Sequence, residues 1–186
     1  MIINNISIKN FRSHSNTNLS FKQGITTIIG QNGSGKSSIF EAMNYALFAP
    51  RKIKLSDTIK RGTDFFLISF EFEILGKKYK VIRGRGKKNI NYLYENDILY
   101  SDDNNSVNNK IMEILNMDND VFSNAIYIKQ GEISSFIQIT PAERKRLMGK
   151  LLGIEKYEQV WDKLKNPIKS MELDLNRIEG ELKQID

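Results

Sequence analysis

The chain has 186 residues, of which 40% are hydrophobic and 27% charged, and these proportions are ordinary for a globular protein. It contains no cysteine, which excludes disulfide bonds and thiolate metal sites within these residues. The net charge of +6 suits polyanionic partners without selecting one. The sequence has neither a long apolar run nor a signal-peptide pattern at its start, so we expect an intracellular protein with no membrane partner.

The first 50 residues predict three strands and then a helix. Apolar residues alternate over residues 2–9, and a second short strand is predicted near residues 19–21. The β-branched run Ile25-Thr26-Thr27-Ile28-Ile29 is typical of a buried strand. Helical spacing of apolar residues from Gly35 to Phe48 predicts a helix that ends just before Pro50.

A glycine-rich loop joins the third predicted strand to this helix. Residues 30–37 read Gly-Gln-Asn-Gly-Ser-Gly-Lys-Ser and fit the pattern G-x-x-x-x-G-K-[ST], in which backbone N–H groups and the helix N-terminus cradle phosphates. We expect Lys36 to reach the β- and γ-phosphates and the Ser37 hydroxyl to bind Mg²⁺. A chance match is disfavoured by the flanking strand and helix, so the loop predicts a nucleoside triphosphate site. The remaining residues of the cradle are Asn32, Gly33, Ser34, Gly35 and Ser38.

The middle of the chain predicts an antiparallel β-meander, without a βαβ repeat. Residues 51–64 are polar and basic and indicate a surface loop. Phe66 to Leu75 alternates as a strand, and Gly76-Lys77-Lys78 turns the chain into a second strand over residues 79–83. A hairpin over residues 91–100 follows, with Glu95-Asn96-Asp97 at its tip.

Helical patterns dominate after this meander. Residues 106–115 and 120–125 read as helices, the second with Asp120 as N-cap. A short apolar strand over residues 126–128 runs into Lys129-Gln130-Gly131. The next helix starts at Thr140-Pro141-Ala142-Glu143, which has the composition of a capping box.

The last residues carry a coiled-coil pattern. Apolar residues recur at alternating steps of three and four from Ile154 to Ile185, although Pro167 should kink or interrupt the helix. A lone helix of this kind exposes its seam and needs a partner strand. We therefore expect the N-terminal piece of a longer protein, with residues 1–153 as a nucleotide-binding domain and residues 154–186 as the base of a coiled coil.

Four features, found in the expected order along the chain, resemble those of one protein family. Asn-Gly-Ser-Gly-Lys-Ser-Ser at 32–38 is similar to the loop of ABC-type ATPase heads, and Asn-Phe-Arg-Ser-His at 10–14 resembles the motif that opens SMC-like heads. Tyr-Ile-Lys-Gln-Gly-Glu at 127–132 resembles the Q-loop of the Rad/SbcC-type ATPases of DNA double-strand-break repair, in which a heptad helix also leaves the head. The resemblance covers the whole chain. It implies an α/β fold with an α+β lobe, a P-loop NTPase head of the ABC-ATPase kind with an antiparallel meander.

The resemblance also implies roles for particular residues. Arg12 and Ser13 would lie near the base and phosphates of ATP, and Gln130 would complete Mg²⁺ coordination and sense the γ-phosphate. Lys60 and Arg61, in the basic loop, would close over the nucleotide. An apolar run ending in Asp-Glu and a Leu-Ser-Gly-Gly-type signature are absent from the sequence, and the resemblance places both in a C-terminal segment. We therefore expect this ATPase segment to bind ATP but to hydrolyse it poorly alone.

The partners follow from the same resemblance. They are the C-terminal segment, a second copy in an ATP-dependent homodimer of heads, a nuclease subunit near the coiled-coil base and sequence-nonspecific double-stranded DNA in the cytoplasm or nucleoid. Zinc is expected only at a coiled-coil apex outside this chain. Two basic clusters are candidates for DNA contact, with solvated faces as the alternative: Arg83, Arg85, Lys87 and Lys88 on a hairpin, and Arg144, Lys145, Arg146 and Lys150 on a helix.

Alternatives remain open at this point. A transporter-type ABC subunit shares the glycine loop, but it would continue into a signature motif where this sequence enters a heptad helix. A RecF or chromosome-condensing head would keep the ATPase without a nuclease partner, and a coiled-coil scaffold with a vestigial loop would not bind ATP. His14, the single histidine, is interpreted as a structural or surface residue.

Overall fold

The computed structural model describes residues 1–49, 55–125, 140–151 and 154–182. The chain divides into two compact units, Met1–Gln138 and Ile139–Asp186. The sequence-based domain boundary after residue 153 stays a prediction. In the described ranges, no helix is both long enough and apolar enough to cross a membrane.

One six-stranded antiparallel sheet dominates the first unit. Its strand order is β2-β1-β3-β4-β5-β6, so each strand after β2 lies beside its neighbours in a meander, as predicted. The strands are β1 (Ile2–Phe11), β2 (His14–Ser20), β3 (Phe66–Ile74), β4 (Lys77–Arg85), β5 (Ile90–Glu95) and β6 (Ile98–Ser101).

The described helices fall into two groups. The first unit contains α1 (Lys36–Phe48), α2 (Leu55–Thr58), α3 (Asn104–Leu115) and α4 (Asn119–Ala125). The second unit contains α5 (Pro141–Leu151) and α6 (Glu155–Leu182).

The core lies between α1 and one face of the sheet. Alternate residues of β3 (Phe66, Ile68, Phe70 and Phe72) are buried, and α1 contacts β1, β3 and β4. Burial of such side chains stabilises the fold by about 1.5–3 kcal/mol each. The ring of Phe66 also stacks edge-on against Tyr45 of α1, so the meander holds α1 firmly on the sheet.

The break predicted at residues 10–14 is a tight turn between two strands that are longer than expected. Asn10 and Arg12 both have φ of 54°, in the left-handed region. The backbone N–H of Arg12 donates to the carbonyl of Thr58 at 2.7 Å, and that of Lys60 donates to the carbonyl of Asn10 at 2.9 Å. Residues 58–60 therefore fix the turn from the side.

The buried strand predicted over residues 25–29 is wrong. The segment forms no strand, and the side chains of Ile25 and Ile29 are 100% and 89% exposed. A β-branched run becomes a buried strand only when neighbouring strands satisfy its backbone and cover its side chains. Within the described part of the chain, no strand pairs with this segment.

Two helix starts in the first unit show how side chains satisfy free N–H groups. Asp103 Oδ2 accepts from the backbone N–H of Ser106 at 2.8 Å and caps α3. Asp118 Oδ1 accepts from the N–H of Val121 at 2.8 Å and caps α4. The predicted cap at Asp120 is therefore wrong, because α4 begins one residue earlier, at Asn119.

The second unit confirms the predicted capping box and the long helix. Glu143 Oε2 accepts from the N–H of Thr140 at 3.0 Å, and Thr140 Oγ1 accepts from the N–H of Glu143 at 3.3 Å. Helix α6 continues through Pro167, so the helix is not interrupted there. The heptad side chains from Ile154 to Ile178 are all exposed.

Candidate nucleotide-binding site

The glycine loop turns sharply into the N-terminus of α1. Gly33 and Gly35 have φ of 81° and 97°, which L side chains rarely adopt. A Cβ at Gly35 would also overlap Ser13 Oγ and lie 2.8 Å from His14 Nε2. Position 35 therefore requires glycine for its backbone and for the close approach of the turn between β1 and β2.

Lys36 bends back over the loop that precedes it. Its Nζ donates to the carbonyl oxygens of Gly30 at 2.8 Å and Gln31 at 2.7 Å. These acceptors are neutral and exposed, whereas a phosphate oxygen is charged and forms a hydrogen bond about twice as strong. The ammonium group is therefore available to exchange its loop partners for an anion.

A cavity of about 410 Å³ opens in front of the loop and the helix N-terminus. This volume falls in the range of about 300–1,000 Å³ that is usual for small-molecule sites. Among the described residues, its lining carries two cations and no carboxylate, and the helix N-terminus adds its partial positive charge, so the cavity fits an anionic ligand. The lining residues are Arg12, Ser13, Asn32, Gly33, Gly35, Lys36, Ser37 and Ser38, all of them predicted.

Arg12 lies at the edge of this cavity and contacts α1. Its Nε is 2.9 Å from Glu41 Oε2, and both side chains are about one-third exposed. Among the described residues, this buried Nε has no hydrogen bond of good geometry despite the ion pair. Exposed pairs of this kind contribute about 0–1 kcal/mol, so the guanidinium can reorient at little cost.

Three predicted site residues lie outside the lining. Ser34 belongs to the loop but does not face the cavity. Lys60 donates to the carbonyl of Ser13 at 3.1 Å and to the Ser15 hydroxyl, so it braces the turn behind the cavity. Arg61 is exposed and does not line the cavity. Gln130 falls outside the described residues.

His14 is a contact to the loop that the sequence did not reveal. The residue is only 9% exposed, and its Nε2 lies 3.0 Å from the carbonyl oxygen of Gly35 and its Nδ1 2.9 Å from Thr17 Oγ1. The structural interpretation is therefore confirmed over the surface one. The one sequence feature that could have indicated this contact is the position of His14 next to Ser13 in the motif at residues 10–14.

The residues of the basic hairpin predicted to contact DNA differ in their exposure to solvent. Arg83 is fully buried, and burial lowers its pKa to about 10. The expectation that Arg83 could follow a phosphate backbone is therefore wrong, because the guanidinium lies in the core. Lys87 and Lys88 are exposed. Burial raises the pKa of Tyr45, and a hydrogen bond with Arg85 partly offsets this rise.

All five N–H groups of Arg83 have acceptors. Its Nε donates to the Ala46 carbonyl at 3.0 Å, and a second nitrogen donates to the Leu47 carbonyl at 3.4 Å, both at the C-terminal end of α1. A cation is favourable at this end of a helix. The remaining acceptors are the side-chain oxygens of Asn91, Asn104 and Asn108, at 3.0, 2.7 and 2.6 Å.

The second basic cluster lies on α5. Lys145 is exposed, while the side chains of its other members fall outside the described residues.

A glycine loop at a helix N-terminus, with two cations around an open cavity, defines a P-loop nucleotide-binding head. A family model described as "AAA domain" matches residues 5–186. The chain therefore belongs to this AAA-domain family, and the predicted P-loop head fold is confirmed.

Two curated relatives show which ATPases this chain is similar to. The chain is 54% identical to the DNA double-strand break repair Rad50 ATPase of Methanococcus maripaludis over 99% of its own length and 19% of the relative's. It is 43% identical to the protein of the same description from Methanocaldococcus jannaschii, over 98% of this chain and 18% of the relative. The chain thus spans about a fifth of the length of these relatives. The predicted resemblance to the SMC-like Rad/SbcC-type ATPases is confirmed.

A solved structure supports the same fold. The Smc head domain with an extended coiled coil from Pyrococcus furiosus, bound in that structure to the C-terminal domain of ScpA, matches with a TM-score of 0.68 and 25% identity. The match covers 98% of this chain and 50% of the other.

Proposed function

We propose that this chain is the ATP-binding head segment of a DNA double-strand-break repair ATPase. The observation that carries the proposal is the cavity in front of α1, where Arg12 and Lys36 face a glycine loop at a helix N-terminus. A triphosphate would take the place of the loop carbonyls as the partner of Lys36, and Arg12 would extend toward the base.

Magnesium fits the same place. The Ser37 hydroxyl lies in the lining beside Lys36 and is the donor that Mg²⁺ takes from loops of this type. With Gln130 as a second ligand, the ion would balance the charge of the phosphates. The described part of the lining holds no carboxylate that could orient the attacking water, which supports the expectation that hydrolysis needs groups from elsewhere in the protein.

A C-terminal segment is proposed to supply these groups and to complete the sheet. The exposed run of residues 25–29 supports this, because its apolar side chains lie open beside a second cavity of about 390 Å³. That cavity is lined by Ile3, Phe40 and Met43 among others. A returning segment that adds strands here would bury the side chains that this chain leaves in water.

The partners belong to the same proposal. ATP would be held between two heads, and hydrolysis would release them, so that head dimerisation controls sequence-nonspecific DNA binding or tethering and a partner nuclease. The exposed heptad side chains of α6 support pairing with a returning strand and offer the base on which a nuclease subunit would dock. The expected location is cytoplasmic and nucleoid-associated.

Two measurements on the full-length protein test the proposal. ATP hydrolysis should be robust in the full-length protein and weak in the 186-residue chain, and strong hydrolysis by the short chain would contradict it. Double-stranded DNA should be retained more tightly with ATP, and Lys36→Ala should abolish this gain. ATP turnover that ignores DNA but responds to a membrane partner would favour the transporter-type alternative. A nuclease that co-purifies would separate the repair ATPases from RecF or chromosome-condensing heads.

A further inference from the structure

The ring of His14 joins an edge strand to the phosphate-binding loop. His14 is the first residue of β2 and follows Ser13, which lines the cavity. Its Nε2 contacts the carbonyl oxygen of Gly35, and its Nδ1 contacts Thr17 Oγ1. Both ring nitrogens are therefore engaged in a nearly buried position, and one of them reaches the loop itself.

The two contacts assign the proton. A carbonyl oxygen only accepts, so Nε2 must carry the hydrogen and donate to Gly35. In the neutral ring, Nδ1 then accepts from the Thr17 hydroxyl, which can donate. The Gly35 carbonyl therefore selects the Nε2–H tautomer, and the Thr17 hydroxyl, which can donate or accept, is compatible with it.

The Gly35 carbonyl controls a backbone donor of the site. It also accepts from the N–H groups of Ser38 at 2.9 Å and Ile39 at 3.3 Å, the first turn of α1. In a planar trans peptide, the C=O of Gly35 and the N–H of Lys36 point in opposite directions. A carbonyl held toward His14 and the helix therefore holds the Lys36 N–H toward the mouth of the loop, where a phosphate would bind.

We propose that His14 is a positioning residue for nucleotide binding: its Nε2–H fixes the Gly35–Lys36 peptide in the phosphate-binding orientation. This inference rests on the proposed function. The side chain does not touch the nucleotide, and its contribution is to hold a backbone donor and the neighbouring Ser13 in place before ATP arrives. Gly35 has φ of 97°, and glycine has the widest backbone freedom of any residue, so the contact from His14 adds to the two helix N–H groups in restricting a permissive position.

Three variants of the full-length protein separate positioning from general stability. His14→Asn removes the donor to Gly35, whereas the longer His14→Gln can place an amide N–H near the position of Nε2. Thr17→Val removes only the Nδ1 partner. We expect His14→Asn to weaken ATP binding by about three- to tenfold, the equivalent of one hydrogen bond. His14→Gln should stay within about twofold of the wild type.

The measurements are ATP affinity by calorimetry and melting temperature for each variant. The proposal predicts that His14→Asn loses more ATP affinity than Thr17→Val when the two variants have the same melting temperature. It also predicts that His14→Gln keeps an ATP affinity close to that of the wild type. Equal ATP loss in Thr17→Val and His14→Asn at equal melting temperature would overturn it, as would failure of His14→Gln to restore binding. If the wild type binds ATP and Lys36→Ala does not, while His14→Asn binds normally, only this inference fails. If the wild type does not bind ATP, the proposed function fails.

A measurement on the wild type keeps the test open if His14→Asn does not fold. The imidazole nitrogen signals of His14 in NMR are identified as those that the His14→Gln variant lacks. The proposal predicts the Nε2–H form with ATP bound. An Nδ1–H form in the ATP-bound protein would contradict the contact to Gly35.

Discussion

The two ends of α1 satisfy a cation in different ways. At the C-terminal end, Arg83 is fully buried and all five of its N–H groups have protein acceptors. At the N-terminal end, Lys36 donates to two carbonyls of its own loop, beside an open cavity. The first cation has no spare donor and belongs to the fold. The second can exchange its partners for a ligand.

The same contrast applies to apolar residues. Ile68 of β3 is fully buried under α1, whereas Ile25, just before the glycine loop, is fully exposed. The N-terminal side of α1 is thus open in both its polar and its apolar groups. We infer that this side is half of a site, and that the C-terminal side is closed within the chain.

The largest effect is expected for Arg83→Met. The change leaves three asparagine oxygens and two helix carbonyls without their donor, and we expect a loss of about 4 kcal/mol of unfolding free energy. Urea denaturation measures it. Lys80→Met on the same strand is the control, because Lys80 forms a half-exposed pair with Glu71 and its loss should cost less than about 1 kcal/mol. Equal costs would show that the Arg83 cluster is not a stabilising element.

Ile68→Ala and Ile25→Ala compare the closed and open sides directly. In the 186-residue chain, we expect Ile68→Ala to cost about 3 kcal/mol because it empties core volume, and Ile25→Ala to cost less than about 0.5 kcal/mol. In the full-length protein, Ile25→Ala should become clearly destabilising. A large cost for Ile25→Ala in the short chain would mean that this segment already has a partner there.

DNA binding should depend on the exposed lysines of the β4–β5 hairpin and not on its buried arginine. The double substitution Lys87→Glu and Lys88→Glu should lower double-stranded DNA affinity about tenfold at low salt, with a shallower salt dependence. Lys78→Glu, at the opposite end of β4, is the matched control. If the double variant binds like the control at every salt concentration, the hairpin does not contact DNA.

The smallest effect concerns pH at the cap of α3, on the closed side. Hydrogen bonds from the Ser106 N–H and hydroxyl lower the pKa of Asp103 below that of the unfolded chain. The stabilisation is therefore present above the unfolded pKa and is lost as the pH falls through the folded one. Asp103→Asn should keep the cap and reduce the loss of stability at acidic pH in thermal melts. An unchanged pH profile would contradict this assignment.

The meander and the loop were predictable because their signals are local. Alternation in β3, the tip at Asn96-Asp97 and the glycine pattern each follow from short-range geometry. The segment at residues 25–29 shows the limit, since its composition predicts a buried strand but cannot say whether the neighbouring strands belong to this chain. The prediction that Arg83 contacts DNA is wrong for a related reason, because its position in a strand does not reveal that three asparagines and a helix end will surround it.

The site was predicted at the level of the loop and missed at the level of its support. The glycine loop, Arg12 and Ser13 meet at one cavity as expected. His14 and Lys60 support the turn from behind through contacts that depend on how the turn, β2 and residues 58–60 meet in space. No spacing rule in the sequence encodes that meeting.

ATP affinity of the full-length protein is the most direct test of the nucleotide site. Calorimetry in the presence of Mg²⁺ should show binding by the wild type, a loss of at least about thirtyfold in Lys36→Ala and no loss in Lys78→Ala. This pattern would locate the phosphates at the open end of α1. Wild-type affinity in Lys36→Ala would contradict the account, because the loop would then not be where the nucleotide binds.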